Sequence, residues 1–160
     1  MHGRAGLAAV ALLALASTAS AQRLLHAGAG WAAFERSAGL CEAVARSELQ
    51  ALPGRVQART AFAFTRDGRR RGELHIIFAR PVRAGAAAVL TVGSSSFLLA
   101  TSGNNAWSRG PAQEQAIIAA IRAAGEMRVR APGVGGSISD RYLLGGAPTA
   151  IDAAALACAP

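Results

Sequence analysis

Lysine is missing from this sequence: all 17 basic residues are arginine, set against nine acidic ones for a formal charge of +8. Together with the abundance of Ala and Gly, this has the look of a GC-rich coding bias. The pI of about 11.5 is therefore no argument for a specific nucleic-acid partner. What it leaves is a weak attraction to anionic surfaces such as lipopolysaccharide or outer-membrane headgroups. Histidine is scarce too, and His26 and His75 have no Cys or acid at ligand spacing, so no metal site and no cofactor are expected. Aromatic residues make up only 5% of the chain, so Trp31 and Trp107 serve better as core filling than as ligand platforms. Trp107 nevertheless stays on the candidate binding surface. After the first residues no apolar run is long enough to span a bilayer. Ser94, Ser95 and Ser96 follow Gly93 without forming a Gly-x-Ser-x-Gly elbow, which argues for a turn over a nucleophile. No Gly-Lys-Ser/Thr follows the glycines at 133, 135 and 136, so they read as a hairpin turn needing positive φ.

What is present starts with a leader. Arg4 precedes an apolar run from Leu7 to Ala16, and Ala19-Ser20-Ala21 offers small residues for cleavage. That is the pattern of a secretory signal peptide, residues 1–21, cut after Ala21. The run is about half the roughly 20 residues of a membrane span, and no Cys follows the cut to carry a lipid. Residues 22–30 read as a flexible lead-in and residues 31–160 as one domain, long enough for a proper core. The expected location is periplasmic or secreted, and the mature chain is not expected to span a membrane. Cys41 and Cys158 are the only cysteines, and an oxidising compartment pairs such thiols. Closing so long a loop contributes about 4–5 kcal/mol in the chain-entropy model. It would tie the C-terminal helix to the N-terminal strands.

The period of the apolar residues predicts an all-β domain, an antiparallel β-sandwich or barrel-like arrangement with two short α-helices. Seven or eight strands are expected. Trp31–Glu35 and Cys41–Ser47 come first, then Thr60–Thr65 and Glu73–Arg80 about Asp67-Gly68, with Pro81 as a stop. Ala87–Val92 and Phe97–Thr101 pair around Gly93-Ser94-Ser95, and Gly103-Asn104-Asn105 turns into the Trp107 region. Gly110-Pro111 opens a helix carrying Ile117, Ile118, Ile121 and Ala124, and Gly125 stops it. Met127, Val129 and Ala131 then alternate with Glu126, Arg128 and Arg130, as in a half-buried strand. Ser137–Leu144 returns, and a short helix from about Pro148 carries Ile151, Ala155 and Cys158.

Several of these residues occur in a telling order. Trp31, Phe34 and Cys41 are followed by Arg80-Pro81, then by Phe97, Leu99 and Ala106-Trp107. A helix leads into Gly125-Glu126-Met127-Arg128-Val129, then the Gly136–Leu144 strand and a short helix ending in Cys158. The pattern resembles the invasion associated locus B family of bacterial exported proteins, over nearly all of the mature chain and most specifically from Ala106 onward. The resemblance implies an all-β exported domain linked to the cell envelope and to host-cell interaction, without an established catalytic activity. The chain departs from the family in its short, Ala-rich Val82–Ser96 segment. It also has Ser137-Ile138-Ser139-Asp140-Arg141-Tyr142 where the family tends to have Thr-Thr-Asp-Thr-Tyr.

Among groups that carry chemistry, Asp140 shares strand parity with Ile138, Tyr142 and Leu144, so it faces inward if they do. A buried carboxylate needs a partner; Tyr142, Arg80 or turn N–H groups are the candidates. Asp140 with Tyr142 reads as a structural polar pin rather than a catalytic acid, since no second carboxylate is near in sequence. His75 falls on the strand face opposite Leu74, Ile76 and Phe78, the solvated one. Arg69-Arg70-Arg71 is the clearest basic cluster and a possible binding surface for phosphate or acidic sugar. The expected function is an exported, non-catalytic binding protein associated with the envelope or with host interaction, its partner an envelope or host component. The alternatives are a small exported hydrolase using Asp140 with His75 or a loop serine, and a structural envelope protein attracted to anionic surfaces.

Overall fold

The expected alternation of apolar and polar residues is what builds the sheet. In the computed structural model, which describes residues 22–37 and 39–160, there are ten strands and two helices. They run β1 (Arg23–Gly28), β2 (Trp31–Ser37), β3 (Leu40–Arg46), β4 (Arg59–Thr65), β5 (Arg71–Ile77), β6 (Ala88–Val92), β7 (Ser95–Ser102) and β8 (Asn105–Trp107). Then follow α1 (Pro111–Ala123), β9 (Glu126–Gly133), β10 (Gly136–Leu143) and α2 (Ala147–Ala157). The fold is therefore all-β with two short helices, as expected. The signal-peptide assignment lies outside the described residues.

The strands form one antiparallel sheet in the order β1-β2-β3-β4-β5-β8-β7-β6-β9-β10. It bends back on itself. Trp31 Nε1 donates to the Leu143 carbonyl at 2.8 Å, and Glu48 N donates to the Arg141 carbonyl at 2.8 Å. The end of β10 thus stands over the start of β2 and the loop after β3, although they are far apart in the sheet order. The entry to α2 comes equally close, because a Cβ on Gly146 would lie 2.3 Å from the Gly28 carbonyl oxygen.

Inside the bend lies the core. Trp31, Phe62, Leu74, Ile76, Phe78, Leu90, Leu99, Met127 and Tyr142 come from the strands and their continuations, Ile117 and Ile121 from α1, and Ile151 from α2. Their removal from water is the main drive to this arrangement. Helix α2 packs on β1, β2 and β3, and α1 on β5. Cys41 of β3 and Cys158 after α2 are joined as a disulfide, their Cα atoms 5.8 Å apart across a sequence separation of 117. The C-terminal helix is tied to the N-terminal strands, as expected from the single pair of cysteines.

Four readings need correction. Residues 22–30, expected as a flexible lead-in, include β1, which is paired in register with β2 and covered by α2. Short Ala and Gly residues hid a strand whose stability comes from its neighbours. The strand expected at Glu73–Arg80 is shifted to Arg71–Ile77. Phe78 N turns instead to the Asn104 carbonyl at 2.8 Å. On α2 the buried residues are Ala147, Ala150, Ile151 and Ala154, and Ala155 is only half-buried. Finally, Gly135 and Gly136 do have positive φ, but Gly133 does not. It is needed for room, because a Cβ there would sit 2.7 Å from the Gly136 carbonyl oxygen and 2.8 Å from Ile138 Cγ1.

Candidate functional site

The Arg69-Arg70-Arg71 cluster sits at the tip of the β4–β5 hairpin, where the loop folds on its own acids. Thr65 Oγ1 donates to Asp67 Oδ1 at 2.5 Å and Arg69 N donates to the same oxygen at 3.0 Å. These bonds hold the Asp67 carboxyl below its ordinary pKa, the Thr65 hydroxyl contributing most. Arg69 pairs with Asp67 at 3.4 Å and Arg70 with Glu73 at 3.4 Å, while Arg71 Nε donates to the Gly68 carbonyl at 3.0 Å. Three guanidiniums thus meet two carboxylates, and the tip has little charge to offer. Exposed pairs like these add little stability, but they do cancel field.

Asp140 faces inward with Ile138 and Tyr142, all three buried. Its partner is none of those expected: the Ser47 hydroxyl donates to Asp140 Oδ1 at 3.1 Å. Asp140 Oδ2 and the Tyr142 hydroxyl have no hydrogen-bond partner among the described residues. Burial raises the Asp140 pKa, against the opposing effects of the Ser47 bond and the Arg80 charge. Burial, with the nearby Asp140 carboxylate, likewise pushes the Tyr142 phenol up. The pair is an interior feature, joining β10 to the loop after β3.

His75 is not free on a solvated face. It stacks on Trp107, ring centroids 5.2 Å apart and planes within 1°, as cross-strand neighbours of β5 and β8. His75 Nε2 bonds Asn105 Oδ1 at 2.9 Å. Trp107 is half-buried on this outer face, whereas Trp31 is core, tilted against Phe62 at 6.1 Å. His75 and Asp140 therefore project from opposite faces of the sheet, with no shared cleft. Among the described residues no group of three His, Cys, Asp or Glu could hold a metal ion.

A different surface carries the surplus charge. On β9 the residues opposite Met127 and Val129 point outward, which places Arg128 and Arg130 on the face shared with β6 and β10. Val89 and Ser139 flank Arg130, Thr91 and Arg141 flank Arg128, and Ser137 faces Pro132. Arg141 and Arg128 share a single carboxylate, Glu126, at 2.7 and 3.6 Å. The segment after β5 runs beside the β9–β10 hairpin and is fastened to it. Arg83 N donates to the Pro132 carbonyl at 2.8 Å and Val134 N to the Pro81 carbonyl at 3.0 Å. Arg80 donates to the carbonyls of Val134 and Ser137.

On this face lies an open groove of about 580 Å³, lined by Arg83, Val89, Arg130, Pro132, Ser137 and Ser139 among others. Among the described residues, neither the Arg83 nor the Arg130 side chain meets a carboxylate or any other hydrogen-bond partner. This face thus gathers four guanidiniums, Arg83, Arg128, Arg130 and Arg141, against one carboxylate. Sequence reasoning saw Arg128 and Arg130 as the polar side of a strand and went no further. The alternation was the available signal; Arg83 and Arg141 join it only through the fold. No family model, no curated protein and no solved structure matches this chain.

Proposed function

We propose that the chain is an exported, non-catalytic binding protein of the envelope or host interface, of the invasion associated locus B type. The observation that carries this reading is the outer face of β6, β9 and β10, where Arg83 and Arg130 stand free around an open groove. Guanidiniums without internal partners are suited to bidentate contacts with an anionic partner. The closed Cys41–Cys158 disulfide is compatible with an oxidising, extracytoplasmic compartment. No helix among the described residues is long and apolar enough to cross a membrane. A hydrolase built on Asp140 and His75 is disfavoured by their placement, since a base must come within hydrogen-bond reach of the proton it takes.

Fractionation of a Gram-negative host expressing the full chain with a C-terminal tag tests this. The expected product has the intact mass of residues 22–160 plus the tag, with the disulfide closed, and sediments with the envelope. An uncut chain retained in the cytoplasm would overturn the reading.

A further inference from the structure

The reading of an exported binding protein leaves its ligand open, and on that reading we propose that the Arg83–Arg130 groove takes the phosphate of an anionic phospholipid headgroup at a membrane surface. Val134, at the adjoining hairpin tip, supplies the apolar contact. Three observations on one patch lead there. The first is donor chemistry. Arg83 and Arg130 both line the groove, and a planar guanidinium matches phosphate oxygens in pairs. The hydroxyls of Ser137 and Ser139, exposed on the same face, add donors that have no side-chain hydrogen-bond partner among the described residues.

The second is freedom from competing acid. Glu126 is the one outward carboxylate on β6, β9 and β10, and it is held between Arg128 and Arg141. It stands four positions before Arg130, about 13 Å along the strand at ~3.3 Å per residue. That is beyond a Debye length in physiological salt, so it does little to cancel charge in the groove.

The third is what borders the donors. Val134 is 62% exposed and Val89 39% exposed, and Val134 sits in the two-residue turn between Gly133 and Gly136. A free phosphate ion has no use for exposed valines. A lipid surface does, because an apolar tip can enter the headgroup boundary while basic side chains around it meet phosphates. The patch is also held in shape by the bonds from Arg80, Arg83 and Val134 to the facing carbonyls, so little ordering is needed on binding.

Vesicle sedimentation decides the matter, using the oxidised chain from Gln22 onward, which contains every strand and helix described. Phosphatidylcholine vesicles containing phosphatidylglycerol should bind it and pure phosphatidylcholine should not, with affinity falling as salt rises. Arg83→Gln/Arg130→Gln should weaken binding about thirtyfold, the scale expected for two arginines at an anionic surface. Val134→Ser should weaken it several-fold, while Arg69→Gln/Arg70→Gln should change it less than twofold. These side chains are exposed, so circular dichroism should show each variant folded.

Undiminished binding by the Arg83→Gln/Arg130→Gln variant would overturn the site, as would an equal loss in the Arg69→Gln/Arg70→Gln variant. Saturable inorganic phosphate binding, seen as shifts of the Arg83 and Arg130 amides without vesicle binding, would make this a free-phosphate site and overturn the membrane source. If vesicles fail while the exported chain still sediments with envelopes, this proposal falls and the broader function stands.

Discussion

At the residue scale, Asp140 shows how one buried group couples the fold to pH. Burial places its folded-state pKa above the ordinary 3.8, so the folded chain binds the proton more tightly than the unfolded one. The stability that this group contributes is therefore greatest below that ordinary value, and it declines as pH rises through the folded pKa, where the carboxylate must ionise inside. Asp140→Asn keeps an oxygen to accept the Ser47 hydroxyl and removes the charge. The variant should unfold at a higher urea concentration than the parent at neutral pH and lose the acid-side part of the pH dependence. A lower midpoint for Asp140→Asn at neutral pH would mean that the ionised group is needed. The inward direction of Asp140 was legible from its parity with Ile138 and Tyr142. Its partner was not, because Ser47 is 93 positions away and only the bend of the sheet brings the two together.

At the element scale, the β9–β10 hairpin joins core, turn and surface in one unit. Its register pairs Gly133 with Gly136 across Val134-Gly135, and Met127, Val129 and Ala131 are buried on its inner face. Gly133→Ala presses a methyl group into the Gly136 carbonyl and Ile138. The expected cost is about 1–3 kcal/mol, the range for overpacking a tight site, read as a fall in the urea midpoint. A midpoint equal to the parent's would show that the turn relaxes freely. Such a variant should also loosen the Arg80 and Arg83 tethers, linking hairpin geometry to the groove. The strands of this hairpin were plain in the sequence because their period of two is uninterrupted. Strand β1 was not, since its short run of Leu, His, Ala and Gly carries no such period. It is a strand because β2 offers a ladder and α2 a cover.

For the whole molecule, the disulfide acts on the chain as a loop. Cys41 and Cys158 are both buried, and their bond removes a large entropy from the unfolded ensemble. Cys41→Ala/Cys158→Ala should lower stability by up to about 4–5 kcal/mol in the chain-entropy model, measured by urea unfolding against the oxidised parent. An unchanged midpoint would show that α2 stays docked on β1–β3 through its apolar face alone. Charge behaves differently from covalent closure at this scale. Adjacent arginines at 69–71 look like a site in the sequence, yet Asp67 and Glu73, equally close in the chain, pair with two of the three. Arg83, Arg128, Arg130 and Arg141 are scattered, and strand pairing and the tether of the 80–83 segment collect them on one face. Strand alternation, helix starts and the cysteine pair are properties of near neighbours or of residue type, so the sequence by itself determined an all-β, disulfide-closed domain with two helices. A surface field and a buried partner are sums over neighbours in space. Where the free guanidiniums gather, and what Asp140 meets, were decided by the tertiary structure alone.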